Sequence, residues 1–301
     1  MKRRSGIWLK QKKDLMMRNV LRDFCKGRIL FNKIRNAIDA NIECYSDMEE
    51  LVGTDTEKGI LWRLKDTCHT LWQDHDPQHN PEEFLLDWLI GALFHEAMKL
   101  KEDIYLLVRY KPAFEKAASV DGSLKMYEKC RDLFETAEKN VLHSSRKLHC
   151  MFGKAGEQLE TVLKREKLNP LLIRFLIQNE ELINKAWGVD GYSRKLLTAM
   201  FPEGLDRAYC VAGEGYMDGS WYSEARAAFE KALELNPKCV EASRGLKLLE
   251  KRINEVKHIL KREYEAALAK NLNGCHAKNG LPDPKSDIQE IVEGNGESAF
   301  N

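Results

Sequence analysis

Residues 206–239 read DRAYCVAGEGYMDGSWYSEARAAFEKALELNPKC, and this stretch decides the fold. Tyr209, Ala212, Gly213 and Tyr216 recur at spacings of three and four, as on one side of a helix. Asp218-Gly219-Ser220 follows as a turn signal. Ala225, Phe229 and Ala232 then resume the helical spacing, and Pro237 stops the second helix. Small Gly213 and Ala225 let two antiparallel helices approach closely. Tyr209, Tyr216, Phe229 and Ala232 fill the space between them. Outward from this window the chain reads as helical too. Of 301 residues 8 are Pro and 19 Gly, while 32% are charged. Few breakers and many Leu, Lys and Glu favour helix over sheet.

The motif Tyr209-x-x-Ala212-Gly213-x-x-Tyr216, Ala225-x-x-x-Phe229, Ala232 and Pro237 resembles a tetratricopeptide repeat. Tyr209 stands where the family has Trp, and Ala212 where it has Leu. The resemblance implies a helical hairpin with a groove for an extended peptide or a partner's helix. Its groove-facing side would be Arg207, Cys210, Glu214, Met217 and Asp218. Some family members clamp a partner's terminal carboxylate with basic and amide side chains. Glu214 and Asp218 here imply a basic or mixed ligand instead. Residues 239–271 continue as a charged helix with Leu246, Leu249, Ile253, Val256, Leu260 and Tyr264 on a stripe, which implies a cap on the array. Residues 171–204 have the length of a degenerate preceding repeat, with helices from Leu171 to Gly188 and around Tyr192–Phe201. One repeat cannot bury its own faces, so upstream helices must complete the stack.

Charge is segregated along the rest of the chain. The 48 bases and 47 acids leave a net charge of +1, which excludes a globally basic nucleic-acid binder. Residues 1–36 nevertheless hold twelve bases against Asp14 and Asp23, a net of +10. Residues 39–104 hold sixteen acids against five bases, a net of −11. The basic head predicts one or two amphipathic helices, divided or not at Gly27. It could engage nucleic acid or an anionic membrane surface, with Trp8 and Phe24 among its apolar residues, pair with the acidic segment beside it, or simply be a solvated face. A helix is expected from about Thr56. Asn80-Pro81-Glu82-Glu83 starts the next, which should stop before Pro112. The first half of that helix, Phe84 to Phe94, is apolar nearly all round and predicts a buried central helix. Asp121-Gly122-Ser123 caps another helix, Gly153 and Gly156 mark a break or kink, and a further helix reaches Leu168. Asn169-Pro170 repeats the cap-then-proline signal. Residues 273–301 lose periodicity and read as a largely disordered tail.

No chemistry stands out. Phosphate-loop, dinucleotide and nucleophile-elbow motifs are absent from the sequence. His69, His75 and His79 with Asp74 and Asp76 lie on a loop without the one-face spacing of a zinc helix, and His95 reads as a buried, satisfied histidine. The eight cysteines include no Cys-x-x-Cys pair and read as small hydrophobes. The expectation is an all-α protein: an irregular helical bundle followed by a short tetratricopeptide-like solenoid and a long capping helix. The segments are 1–36 basic helices, 37–168 bundle, 169–272 repeat and cap, and 273–301 tail. The expected function is non-enzymatic, cytoplasmic protein–protein interaction or scaffolding, without cofactor or metal. The alternative is binding of nucleic acid or an anionic membrane surface through residues 1–36.

Overall fold

The computed structural model describes residues 2–73, 77–119 and 124–273. The readings of Asp74, His75 and Asp76, of the Asp121-Gly122-Ser123 cap and of the tail from 274 lie outside the described residues. Eleven helices make up the described chain: α1 Lys2–Asp39, α2 Tyr45–Val52, α3 Ile60–Trp72, α4 Pro81–Ser119, α5 Leu124–Arg165, α6 Pro170–Gln178, α7 Glu180–Trp187, α8 Tyr192–Met200, α9 Leu205–Asp218, α10 Tyr222–Leu235 and α11 Val240–Asn273. The protein is all-α. No helix among the described residues is long and apolar enough to cross a membrane. The chain divides into two compact units, residues 1–166 with 179–196, and residues 167–178 with 197–301.

In the first unit α1 is one continuous helix, and it is the core. Leu21, Phe24, Cys25, Phe31 and Ile34 are fully buried. Phe31 stacks on Phe152 of α5 at 5.1 Å, and Phe24 meets the same ring edge-on at 6.0 Å. Gly27 does not interrupt α1. It lies against Leu61 and Ile60 of α3, where a Cβ would sit 3.2 Å from Leu61. The two acids of the basic head, Asp14 and Asp23, are themselves buried, while Lys10, Lys12, Lys13 and Lys26 are exposed. Asp23 accepts from Arg22 at 3.0 Å, and Lys33 pairs with Asp47 of α2 at 2.8 Å.

Several expected boundaries move. The helix expected from Thr56 starts at Ile60, and α2 precedes it. Gly53 adopts φ +106°, a region favouring glycine, and the turn closes through a bridge from Gly53 to Lys58. Lys101 of α4 donates to the Gly53 carbonyl at 2.8 Å, which ties that turn down. Helix α4 runs through Pro112 to Ser119 instead of stopping before it. Antiparallel α5 holds the extra turns, because Phe114 stacks on Phe134 at 5.1 Å, which offsets the lost backbone bond. Gly153 and Gly156 neither break nor end α5, which absorbs the helix expected after them as far as Arg165. A Cβ at Gly156 would lie 2.8 Å from an Arg28 nitrogen, so the glycine admits a guanidinium.

The α4–α5 pair is sewn by polar contacts to buried Asp103 and Glu96 and, at its rim, to Glu82. Ser144 donates to Asp103 at 2.8 Å and Lys147 pairs with Glu96 at 2.5 Å. Arg165 pairs with Glu82 at 2.6 Å, near the start of α4. Elsewhere, Arg28 lies 5.4 Å over the Trp187 ring of α7, and Tyr192 donates to Glu160.

Arg35 of α1 donates to His149 of α5 at 2.7 Å. Burial, then the charges of Arg35 and Arg28, lower the His149 pKa from its ordinary 6.5. The unfolded chain therefore takes up this proton first. The contribution is present above about pH 6.5 and is lost as pH falls through the lower folded value. Thermal melts of the wild type should lose stability between pH 7 and 5, and His149→Gln should flatten that slope. Parallel slopes for the two proteins would contradict the assignment.

In the second unit α6 lies on α9, and α9, α10 and α11 pack in succession. Asn169 caps α6 as expected, its side-chain oxygen accepting from the Leu172 N–H at 3.0 Å. Within 171–204 the two expected helices are three, α6, α7 and α8; Gly188 ends α7 at φ +67°, and residues 179–196 belong to the first unit. Residues 206–239 fold as the expected hairpin. Helix α9 ends at Asp218, Ser220 takes φ +61° in the turn, and α10 ends at Leu235 ahead of Pro237. Ala212, Gly213, Tyr216, Ala225, Phe229 and Ala232 are buried, and Tyr209 is half-buried.

Candidate partner-binding face

Residues Arg207, Cys210, Glu214 and Met217 fall at intervals of three and four, so α9 presents them on one face with Asp218 beside them. Helix α11 lines this face. Arg207 pairs with Glu241 at 2.6 Å. The Cys210 and Cys239 sulfurs stand 3.5 Å apart. Arg252 reaches back to Asp218 at 3.4 Å and donates to the Met217 carbonyl at 3.3 Å. Cys210 and Met217 are buried, Arg207 is half-buried, and Glu214 and Asp218 are exposed. Glu214 therefore stands free, among the described residues, at the middle of a face whose other polar groups are engaged. Burial of its carboxyl, then the Asp218 charge, raise its pKa, and Arg207 opposes that rise. A cation placed between Glu214 and Asp218 would relieve this repulsion.

The face is positioned by one ring. Phe229 of α10 is wedged between Gly213 of α9 and Gly245 of α11. A Cβ would meet that ring at 2.7 Å from Gly213 and at 2.5 Å from Gly245. Buried Asp206 adds a tie, accepting from the Asn236 side chain at 2.9 Å, which joins the start of α9 to the end of α10. At the far end the Arg174 guanidinium of α6 lies 4.1 Å from the Tyr216 ring and 4.7 Å from Trp221.

Sequence reasoning missed Glu241, Arg252, Gly245 and the Cys210–Cys239 approach, all of which depend on where α11 lies. The expected apolar stripe of α11 included Leu246, but Leu246 is half-buried. The packing face is Ala242, Gly245, Leu249 and Ile253. The small pair Ala242 and Gly245, three apart, was the available signal.

The first unit carries a second concavity. Lys65, His69, Asp87, Trp88, Gly91, Ala92 and His95 line a cavity of about 410 Å³ between α3 and α4. His69 lies 3.6 Å from Asp87. His95 is exposed, not buried as expected. The apolar start of α4 is likewise not buried all round. Leu86, Ile90 and Leu93 face the core, but Phe84 is 50% and Trp88 61% exposed. Among the described residues α4 packs on α2, α3 and α5, and these leave Phe84 and Trp88 uncovered. Among the described residues no three His, Cys, Asp or Glu side chains are grouped to hold a metal ion.

The basic head stands differently from an appended arm. From Lys10 onward the buried apolar residues of α1 pack inside the first unit while Lys10 and Lys26 are exposed, and the side chain of Trp8 lies outside the described residues. No protein-family model matches the chain, and neither a curated protein nor a solved structure matches it.

Proposed function

We propose that this is a non-enzymatic interaction protein whose α9–α10–α11 segment, tetratricopeptide-like in its motif, holds a basic stretch of a partner along the α9 face. The observation that carries the reading is Glu214. It is exposed, its charged form is disfavoured by partial burial and by Asp218, and Arg207, the cation whose charge acts on it, is paired with Glu241. A lysine or arginine from a partner would meet two carboxylates four residues apart. The glycine-flanked Phe229 supports the reading by holding the three helices in close succession.

The test is fluorescence anisotropy of Lys/Arg-bearing and acidic control peptides titrated with the full chain. The basic peptides should bind, and Glu214→Lys with Asp218→Lys should weaken them by at least about tenfold, since each lost close charge contact is worth about 0.5–1 kcal/mol and each reversal adds repulsion. Binding should also weaken with added salt. Because Asp218 pairs with Arg252, Glu214→Gln serves as the variant that leaves the fold untouched, and it should show a smaller loss. Equal affinity for basic and acidic peptides, or indifference to the reversal, overturns the proposal.

A further inference from the structure

We infer that Cys210 and Cys239 are a dithiol site that a peroxide converts to an intramolecular disulfide, stapling α9 to the start of α11. The inference rests on geometry and is independent of which ligand the face takes. Both cysteines are 3% exposed, and their sulfurs stand 3.5 Å apart, one within α9 and the other in the turn before α11, 29 residues apart in sequence. A disulfide needs about 2.05 Å, so each side must move by less than an ångström. The flanking residues already touch: Arg207 of α9, three residues before Cys210, pairs with Glu241 of α11, two residues after Cys239, at 2.6 Å. No rotation of one helix past the other is needed.

The two cysteines differ in surroundings, and this sets the order of the steps. Cys210 lies in the middle of α9, where burial pushes its thiol up to about 12. Cys239 immediately precedes α11, in the turn after Pro237. Its neighbours Pro237, Lys238, Val240 and Glu241 are all exposed, so opening that one turn brings Cys239 to solvent. The Cys239 thiolate attacks one peroxide oxygen, breaking the O–O bond. This gives a sulfenic acid and hydroxide, which takes a proton to become water. As the turn recloses, the Cys210 thiolate attacks the Cys239 sulfur, forms the S–S bond and expels the sulfenic oxygen as a second hydroxide. Two thiols and one peroxide yield one disulfide and two waters. The sulfurs lose two electrons and the peroxide gains them. Desolvation of Cys210 makes the pair slow toward other electrophiles, and proximity favours closure over further oxidation of Cys239.

The test treats the folded full chain with hydrogen peroxide at 25 °C, blocks remaining thiols, and maps peptides by mass spectrometry without reduction. The expected product is a cross-linked pair containing Cys210 and Cys239, two hydrogens lighter than the thiols. Its melting temperature should rise by about 10 °C for the second unit, since it closes a loop of about thirty residues. Dithiothreitol should reverse both. Cys239→Ser should remove the cross-link and leave Cys210 unoxidised. Recovery of Cys210 and Cys239 as free thiols while exposed Cys150 is oxidised overturns the inference. So does Cys239 oxidised to sulfinic acid without a bond to Cys210. Mapping of the wild type needs no variant, so the result stands even if Cys239→Ser folds poorly.

Discussion

Replacing Gly245 with alanine destabilises the second unit by about 1–3 kcal/mol, although alanine is the better helix former. The new methyl would sit 2.5 Å from Phe229 ring atoms that also lie against Gly213, whose own would-be Cβ is 2.7 Å from them. Helix propensity returns about 1 kcal/mol per glycine replaced, so the clash wins only while the ring is present. Phe229→Ala should cost about 3–5 kcal/mol through the cavity it leaves. In that background Gly245→Ala should change sign and stabilise, because the methyl then fills empty space. Urea denaturation of the four proteins of this cycle measures the coupling. Additive effects, with Gly245→Ala equally harmful with or without the ring, would show that Phe229 is not the wedge.

Deleting residues 1–36 abolishes folding of the first unit. Leu21, Phe24, Phe31 and Ile34 are fully buried, and removing each such side chain costs about 2–5 kcal/mol. Their sum meets or exceeds the roughly 5–15 kcal/mol that stabilises a whole domain. Circular dichroism should report a loss of helix well beyond the deleted residues, and limited proteolysis should degrade α3, α4 and α5. A truncated protein with a sharp melt and protected α4–α5 would restore the view of residues 1–36 as a separable basic arm. Outward charge changes should behave differently. Lys10→Gln with Lys26→Gln should leave the melting temperature nearly unchanged, since both side chains are exposed.

These expectations divide along a line set by the range of the interactions. The hairpin from Leu205 to Leu235 was readable because each of its signals acts within a few residues. Tyr209, Ala212, Gly213 and Tyr216, and then Ala225, Phe229 and Ala232, recur at helical spacing, Asp218-Gly219-Ser220 supplies turn chemistry, and Pro237 cannot continue a helix. Asn169 before Pro170 was legible for the same reason. The local rule failed at Pro112 and Gly156, where a partner helix outweighed it. Stacking of Phe114 on Phe134 carries α4 past its proline, and a guanidinium from α1 occupies the space that Gly156 leaves in α5.

The candidate face was half legible. Periodicity placed Arg207, Cys210, Glu214 and Met217 together because one helix carries them all. Their partners Glu241, Cys239 and Arg252 belong to α11 and the turn before it, and no spacing within α9 could identify them. Charge segregation was also visible in the sequence as a basic head beside an acidic segment. Its meaning came from packing: from Lys10 onward α1 buries Leu21, Phe24, Phe31 and Ile34 with both of its acids and exposes Lys10, Lys12, Lys13, Lys26 and Lys33.

By itself, then, the sequence determined that the chain is helical, where its best-marked hairpin lies, and which residues share a face of α9. These follow from backbone propensities and the 3.6-residue period, which are local. The tertiary structure decided that α1 is a core helix, that Phe229 lies against two glycines, that Arg207 pairs with Glu241 and Arg252 with Asp218, and that two cysteines 29 residues apart meet. Each of these depends on which helix lies against which, and that is set by shape and burial between segments distant in the chain.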